Sequence, residues 1–113
     1  MNFPESISLT LTNRCNLRCQ MCGQWSEYGY MRGRNGSLQH EISLIDWKCV
    51  VDELALHSIP SLLLRGGEIF MYPGIIELLE YIHSKGMFIS IDTNGTMLKK
   101  YAKDILRIGN MHL

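Results

Sequence analysis

The sequence predicts an α/β fold in which parallel strands are joined by helical crossovers. Strand-like periods of two and helix-like periods of 3.6 alternate along the chain in the order βαβαβα. Each strand run is short, the second and third are followed by Gly or Asn-Gly, and amphipathic helical runs lie between and after them. That alternation is the pattern of a parallel sheet or barrel with its helices packed on the sheet.

The first strand is Ile7-Ser-Leu-Thr-Leu-Thr12, where apolar and polar residues alternate. Leu44, Trp47, Val51, Leu54 and Ala55 then recur at helical spacing, with Ser43 and Asp46 placed as a capping box that has Asp for Glu. Ser61-Leu-Leu-Leu-Arg65 is the second strand. Pro73 opens a second helix through Ile75, Leu78, Leu79 and Ile82, which Gly86 closes in a left-handed conformation. Phe88-Ile-Ser-Ile-Asp92 alternates again as the third strand. Thr96 caps a third helix through Tyr101, Ile105 and Ile108, ended by Gly109, and Met111-His112-Leu113 starts a fourth strand. A complete β/α barrel takes about 250 residues, so a chain of 113 residues reads as a partial parallel β/α barrel, truncated after about three βα units.

Strands buried on both faces read as continuous apolar runs. Here Ser8, Thr10 and Thr12 share one face of the first strand, and Ser90 and Asp92 one face of the third. With Ile7, Leu9, Leu11, Ile89 and Ile91 packed on helices, the polar faces line a hydrated or ligand-filled interior. An exposed sheet face is the plainer alternative.

Composition narrows the partners. Eleven Lys plus Arg balance eleven Asp plus Glu, so the chain lacks the cationic footprint of nucleic-acid or anionic-membrane binding. With 46% hydrophobic and 19% charged residues it is globular rather than disordered. No apolar run reaches the roughly 18 residues of a membrane span, and no basic-then-apolar leader opens the chain. The expected location is the cytoplasm.

Three of the four cysteines, Cys15, Cys19 and Cys22, fall within eight residues. That clustering in a chain without an export signal points to reduced thiols holding a metal, because thiolates select iron-sulfur clusters, zinc or copper(I). Most such sites use four protein ligands. Three leave one metal position open to a substrate or cofactor. Cys49 lies in the first helix and reads as a small buried residue. The segment from Gly23 to His40, rich in Gly, Ser and Arg, is too long for a tight connection and reads as a mobile loop beside the cysteines. His57 and His83 fall near helix ends, where they favour the dipole. Lys99, Lys100 and Lys103 form a solvated helix face, and Arg65 and Asp92 at strand ends make an ion pair or a solvated rim.

With CxxxCxxC in the loop after the first strand, the sequence resembles the radical S-adenosylmethionine (radical SAM) enzymes. The resemblance implies that Cys15, Cys19 and Cys22 hold a [4Fe-4S] cluster whose fourth iron is chelated by S-adenosyl-L-methionine. Met21, in the position before the last cysteine, would then approach the adenine. Gly66-Gly67-Glu68 after the second strand resembles the family's GGE motif, which binds the methionine ammonium group, although Ile69 stands where the family often has Pro. Glycines allow close backbone approach, and a carboxylate makes a charge-assisted hydrogen bond to a cation. Thr93-Asn94-Gly95 resembles a segment that many members place beside the cofactor, which makes Thr93 and Asn94 candidate contacts; Asn-Gly is equally a common turn.

On this resemblance, residues 1–113 form the N-terminal part of a radical SAM core domain, with residues 13–40 as the cluster loop. The implied activity is reductive cleavage of S-adenosylmethionine to a 5′-deoxyadenosyl radical that takes hydrogen from an unidentified substrate. The implied partners are an electron donor such as flavodoxin or ferredoxin and the missing C-terminal half of the barrel. Alone, the chain is expected to bind a cluster and to turn over weakly or not at all. Two other classes fit the thiols: a noncatalytic zinc module completed by His40 or Cys49, and a thiol redox protein using Cys19 and Cys22.

Overall fold

The computed structural model describes residues 4–17, 41–109 and 111–113. Cys19, Met21, Cys22 and the loop from Gly23 to His40 lie outside the described residues. The elements are β1 (Ser6–Thr12), α1 (Leu44–Leu56), β2 (Ser61–Gly66), a 3₁₀ turn (Ile69–Met71), α2 (Ile75–Ser84), β3 (Phe88–Ile91), α3 (Leu98–Ile108) and β4 (Met111–His112). All neighbouring strands pair in parallel, giving one open four-stranded sheet in the order β1-β2-β3-β4. The α/β expectation holds, and the sheet is what a partial β/α barrel would present.

Register puts side chains of one kind on one face. Leu9 pairs with Leu64, and Leu62 and Leu64 pair with Ile89 and Ile91. These residues are buried in one core with Trp47 and Val51 of α1 and Ile75, Leu78, Leu79 and Ile82 of α2. Each fully buried aliphatic side chain contributes about 1.5–3 kcal/mol, so this layer dominates the fold's stability. On the opposite face Ser8, Thr10 and Arg65 are exposed and Leu63 and Ser90 half-buried, so that side of the sheet is open.

Thr12 departs from that polar face. The β1–β2 register shifts between Thr10 and Thr12, so the strand end is re-aimed, as bulges do near sites. Thr12 is thereby buried, and its hydroxyl donates to Glu41 Oε1.

Helix ends follow local chemistry. Ser43 caps α1 by accepting from Asp46 N at 3.2 Å, as its sequence position predicts. Gly86 adopts φ 78° after α2, a left-handed conformation that a side chain would strain. Two boundaries differ from expectation. Helix α2 starts at Ile75 with Gly74 as N-cap, so Pro73 stands just outside it. Thr96 does not cap α3: the N-cap is Met97 with no side-chain bond, because the Thr96 hydroxyl is engaged by Asn94 and Asn16 instead. Cys49 is also corrected. Two residues from both Trp47 and Val51, it is turned roughly half a helix circumference from the buried stripe and is exposed. His57 is the C-cap of α1 and His83 lies in the last turn of α2. No described helix is long and apolar enough to cross a membrane.

Candidate cofactor site

Parallel strands place all their C-terminal ends, and the turns that follow them, along one edge of the sheet, where α/β proteins bind ligands. Three such turns meet here: residues 13–17 after β1, Gly66-Gly67-Glu68 at the end of β2, and Thr93-Asn94-Gly95 after β3.

The first two turns are docked backbone to backbone. Gly67 N donates to Thr12 O at 2.9 Å and Glu68 N to Arg14 O at 2.7 Å. A Cβ on Gly66 would lie 2.4 Å from Thr12 O, and one on Gly67 2.3 Å from Arg14 O. Both glycines are therefore required by approach of the β1 exit, the segment that carries Cys15.

Glu68 joins the second and third turns. Its carboxylate is fully buried and accepts from Thr93 Oγ1 at 2.5 and 2.9 Å, Asn94 N at 2.8 Å and Phe70 N at 3.3 Å. No Lys or Arg among the described residues pairs with it. A buried carboxylate is stable only when well hydrogen-bonded, and these donors come from the two adjacent turns. Ile69 and Phe70, just beyond, are buried, and Phe70 stacks on Tyr101 of α3 at 5.2 Å between ring centroids. The Glu68 turn is thus anchored in the core.

The third turn reaches back to the first. Asn94 Nδ2 donates to Asn16 Oδ1 at 2.9 Å and faces Cys15 Sγ at 3.9 Å, while Leu17 N donates to the same sulfur at 3.4 Å. Cys15, Glu68, Thr93 and Asn94 are therefore brought together from positions up to 79 residues apart, and Gly66 and Gly67 lie between them. Sequence reasoning missed Asn16 and Thr96, which complete this junction: Asn16 Nδ2 donates to Thr96 Oγ1 at 2.7 Å. Their positions beside Cys15 and Asn94 were the available signal.

Glu41, Arg14 and Tyr72 frame the outer side. Arg14 Nε lies 3.0 Å from Glu41 Oε1. Tyr72 donates to Ile42 O at 2.6 Å. Burial first, then the charges of Glu41 and Asp46, push the Tyr72 hydroxyl above its ordinary value, so it stays a donor. A cleft of about 380 Å³ opens between these residues and the start of α1. Arg65 and Asp92 form an exposed pair at 3.6 Å on the open face. Among the described residues no three His, Cys, Asp or Glu side chains converge as a metal site, and Cys49 lies on the exposed side of α1.

Similarity to known proteins runs along nearly the whole chain. The model for the Radical SAM superfamily matches residues 9–113. The chain is 34% identical over 100 residues to the Fe-coproporphyrin III synthase of Methanosarcina barkeri, covering 88% of this chain and 23% of that protein. It is 31% identical over 107 residues to the antilisterial bacteriocin subtilosin biosynthesis protein AlbA of Bacillus subtilis, covering 93% and 22%. It is 33% identical over 112 residues to the GTP 3′,8-cyclase of Crocosphaera subtropica, covering 96% and 32%. The chain thus spans between about a fifth and a third of the curated relatives it matches. With a match over residues 9–113 and the strand-end turns assembled as described, the chain belongs to the Radical SAM superfamily.

Proposed function

We propose that this chain forms the cluster-binding and cofactor-binding part of a radical SAM enzyme. Members of the superfamily use a [4Fe-4S] cluster and S-adenosylmethionine. The observation that carries the reading is the meeting of the Cys15 turn, the Gly66-Gly67-Glu68 turn and the Thr93-Asn94 turn at one sheet edge.

The donor chemistry fits. Cys15, Cys19 and Cys22 would hold the cluster as soft thiolate ligands, three in number, with one iron left open. When bound, the cluster and its cofactor supply one-electron cleavage to methionine and a 5′-deoxyadenosyl radical that abstracts hydrogen. The chain's own residues bind and orient. The Glu68 side chain offers about four acceptor sites, of which three donors occupy most; the remainder, with the Gly66-Gly67 backbone, would accept from the methionine ammonium. Thr93 and Asn94 would border the cofactor, and Met21 would contact its adenine. The exposed sheet face with Ser8, Thr10, Arg65, Ser90 and Asp92 would bound the space where substrate meets the radical.

The relatives' names cover a porphyrin synthase, a bacteriocin biosynthesis protein and a GTP cyclase. A segment shared by such different proteins is suited to the part they have in common, cofactor handling. Substrate choice and the contact with a reductant such as flavodoxin or ferredoxin would then rest on other residues. Nothing in the described residues favours the zinc reading.

The test is anaerobic purification with iron and sulfide quantitation. The proposal expects about four iron and four sulfide per chain, as the cluster type requires, with loss of the brown colour in Cys15→Ala, Cys19→Ala and Cys22→Ala but not in Cys49→Ala. Zinc without sulfide overturns it.

A further inference from the structure

We propose that Asn94 is a positioning residue for the cluster, its carboxamide N–H directed at the Cys15 thiolate and raising the cluster's reduction potential. The proposal rests on the reading of Cys15 as a cluster ligand.

The orientation of Asn94 is fixed by its neighbours. Its Oδ1 accepts from Thr96 N at 3.0 Å and from Thr96 Oγ1 at 2.7 Å. A flipped amide would set Nδ2 against a backbone donor, so the flip is excluded by hydrogen-bond accounting. Nδ2 must then face Asn16 and Cys15, as observed, with Asn16 Oδ1 at 2.9 Å and Cys15 Sγ at 3.9 Å. Asn16 Nδ2 closes the ring on Thr96 Oγ1 at 2.7 Å. Thr96 has one hydroxyl hydrogen, used toward Asn94, and accepts from Asn16, so each link of the ring joins one donor to one acceptor. The backbone N–H of Asn94 is held in turn by Glu68 Oε2 at 2.8 Å. The amide is thus aimed at Cys15 by its own hydrogen bonds.

Hydrogen bonds to cluster sulfurs are one of the protein's levers on potential. A dipole whose positive end faces the thiolate favours the more negatively charged, reduced cluster. Removing it makes reduction harder. Asn94→Asp keeps the shape and the acceptor toward Thr96 but deletes the donor and adds negative charge.

The experiment is a potentiometric titration of the anaerobically purified protein followed by electron paramagnetic resonance, without S-adenosylmethionine. Asn94→Asp is expected to lower the one-electron reduction equilibrium constant about tenfold, a shift of about 59 mV to more negative potential. Thr96→Ser, which retains the hydroxyl, keeps the parent potential. An unchanged potential in Asn94→Asp with full cluster content overturns the proposal and leaves the cluster reading standing, whereas a parent protein without iron and sulfide defeats that reading itself. Should Asn94→Asp not take up iron, the parent protein labelled with ¹⁵N in asparagine carboxamides decides: ¹⁵N coupling to the reduced cluster supports the proposal and its absence overturns it.

Discussion

The backbone N–H of Glu68 donates to the carbonyl of Arg14 at 2.7 Å, tying the end of β2 to the residue immediately before Cys15. One bond therefore couples a core-anchored turn to the start of the cysteine segment. The approach is close enough that the residue before Glu68 can have no side chain.

Gly67→Ala tests that coupling. Its Cβ would lie 2.3 Å from Arg14 O and 2.8 Å from Asn13 O, both backbone atoms that cannot swing away. The expected cost is at least the 1–3 kcal/mol or so of overpacking, read as a lower urea midpoint, together with reduced iron content after anaerobic purification. Parent-like values in both measurements would show that the two turns move independently.

Glu68→Gln probes the buried carboxylate. The amide keeps one acceptor oxygen but sets an NH₂ group against either the Asn94 N–H or the Phe70 N–H, backbone donors from which the two carboxylate oxygens now accept. Leaving a buried donor unpaired costs about 1–3 kcal/mol. Denaturant unfolding should register that loss. A variant as stable as the parent would mean that water replaces the missing acceptor.

The strands and helices were legible because periodicity reports burial directly, and the register then aligned Leu9, Leu64 and Ile91 without further information. The juxtaposition of Cys15 with Gly66, Gly67, Glu68 and Asn94 was legible only through the family resemblance, since residues up to 79 apart are joined by topology rather than by local pattern. Thr96 misled because a threonine before a helix is ordinarily a cap; here a tertiary hydrogen-bond ring outcompeted the helix end. Thr12 misled through a register shift at the strand end, which has no fixed sequence mark. Cys49 misled because its residue type is usually buried, while the helical phase set by Trp47 and Val51 turns it outward.

Leu64→Ala and Trp47→Phe should separate packing from polar satisfaction in the core. Leu64 is fully buried at the centre of the sheet, between Leu9 and Ile91, so its truncation should cost about 2–5 kcal/mol. Trp47 is also buried, but its Nε1 finds no acceptor among the described residues. Phe removes that unpaired donor along with some apolar area, and the two effects oppose each other. The net change should therefore stay below the Leu64→Ala loss. Calorimetric midpoints compare the two, and a Trp47→Phe loss as large as that of Leu64→Ala would reveal an acceptor for the indole N–H.

The outer surface of α1 and α2 carries a clasp whose pH dependence is readable. Tyr81 donates to Asp52 Oδ1 at 2.5 Å, and Lys85 Nζ lies 3.1 Å from the same oxygen. The Tyr81 bond, then that of Lys85, holds the Asp52 carboxyl below its ordinary 3.8. The bond to Asp52 pushes the Tyr81 hydroxyl above 10.0, and the Asp52 bond likewise raises Lys85 above 10.5. A depressed acid stabilises the fold above its unfolded value and loses that contribution as pH falls through the folded one; a raised hydroxyl or ammonium stabilises below its unfolded value and loses it as pH rises through the folded one. Tyr81→Phe should therefore lower the urea midpoint at neutral pH, by a similar amount across the range between these limits. The gap to the parent protein should narrow as pH falls below 3.8 and again as it rises past 10.0. Because the groups are solvated, added salt should shrink it at every pH. A gap that is constant from acid to alkali would assign the Tyr81 contribution to ring packing beneath Lys48 and Lys85, whose ammonium groups lie 5.2 and 5.0 Å from its centroid, rather than to the hydroxyl–carboxylate bond.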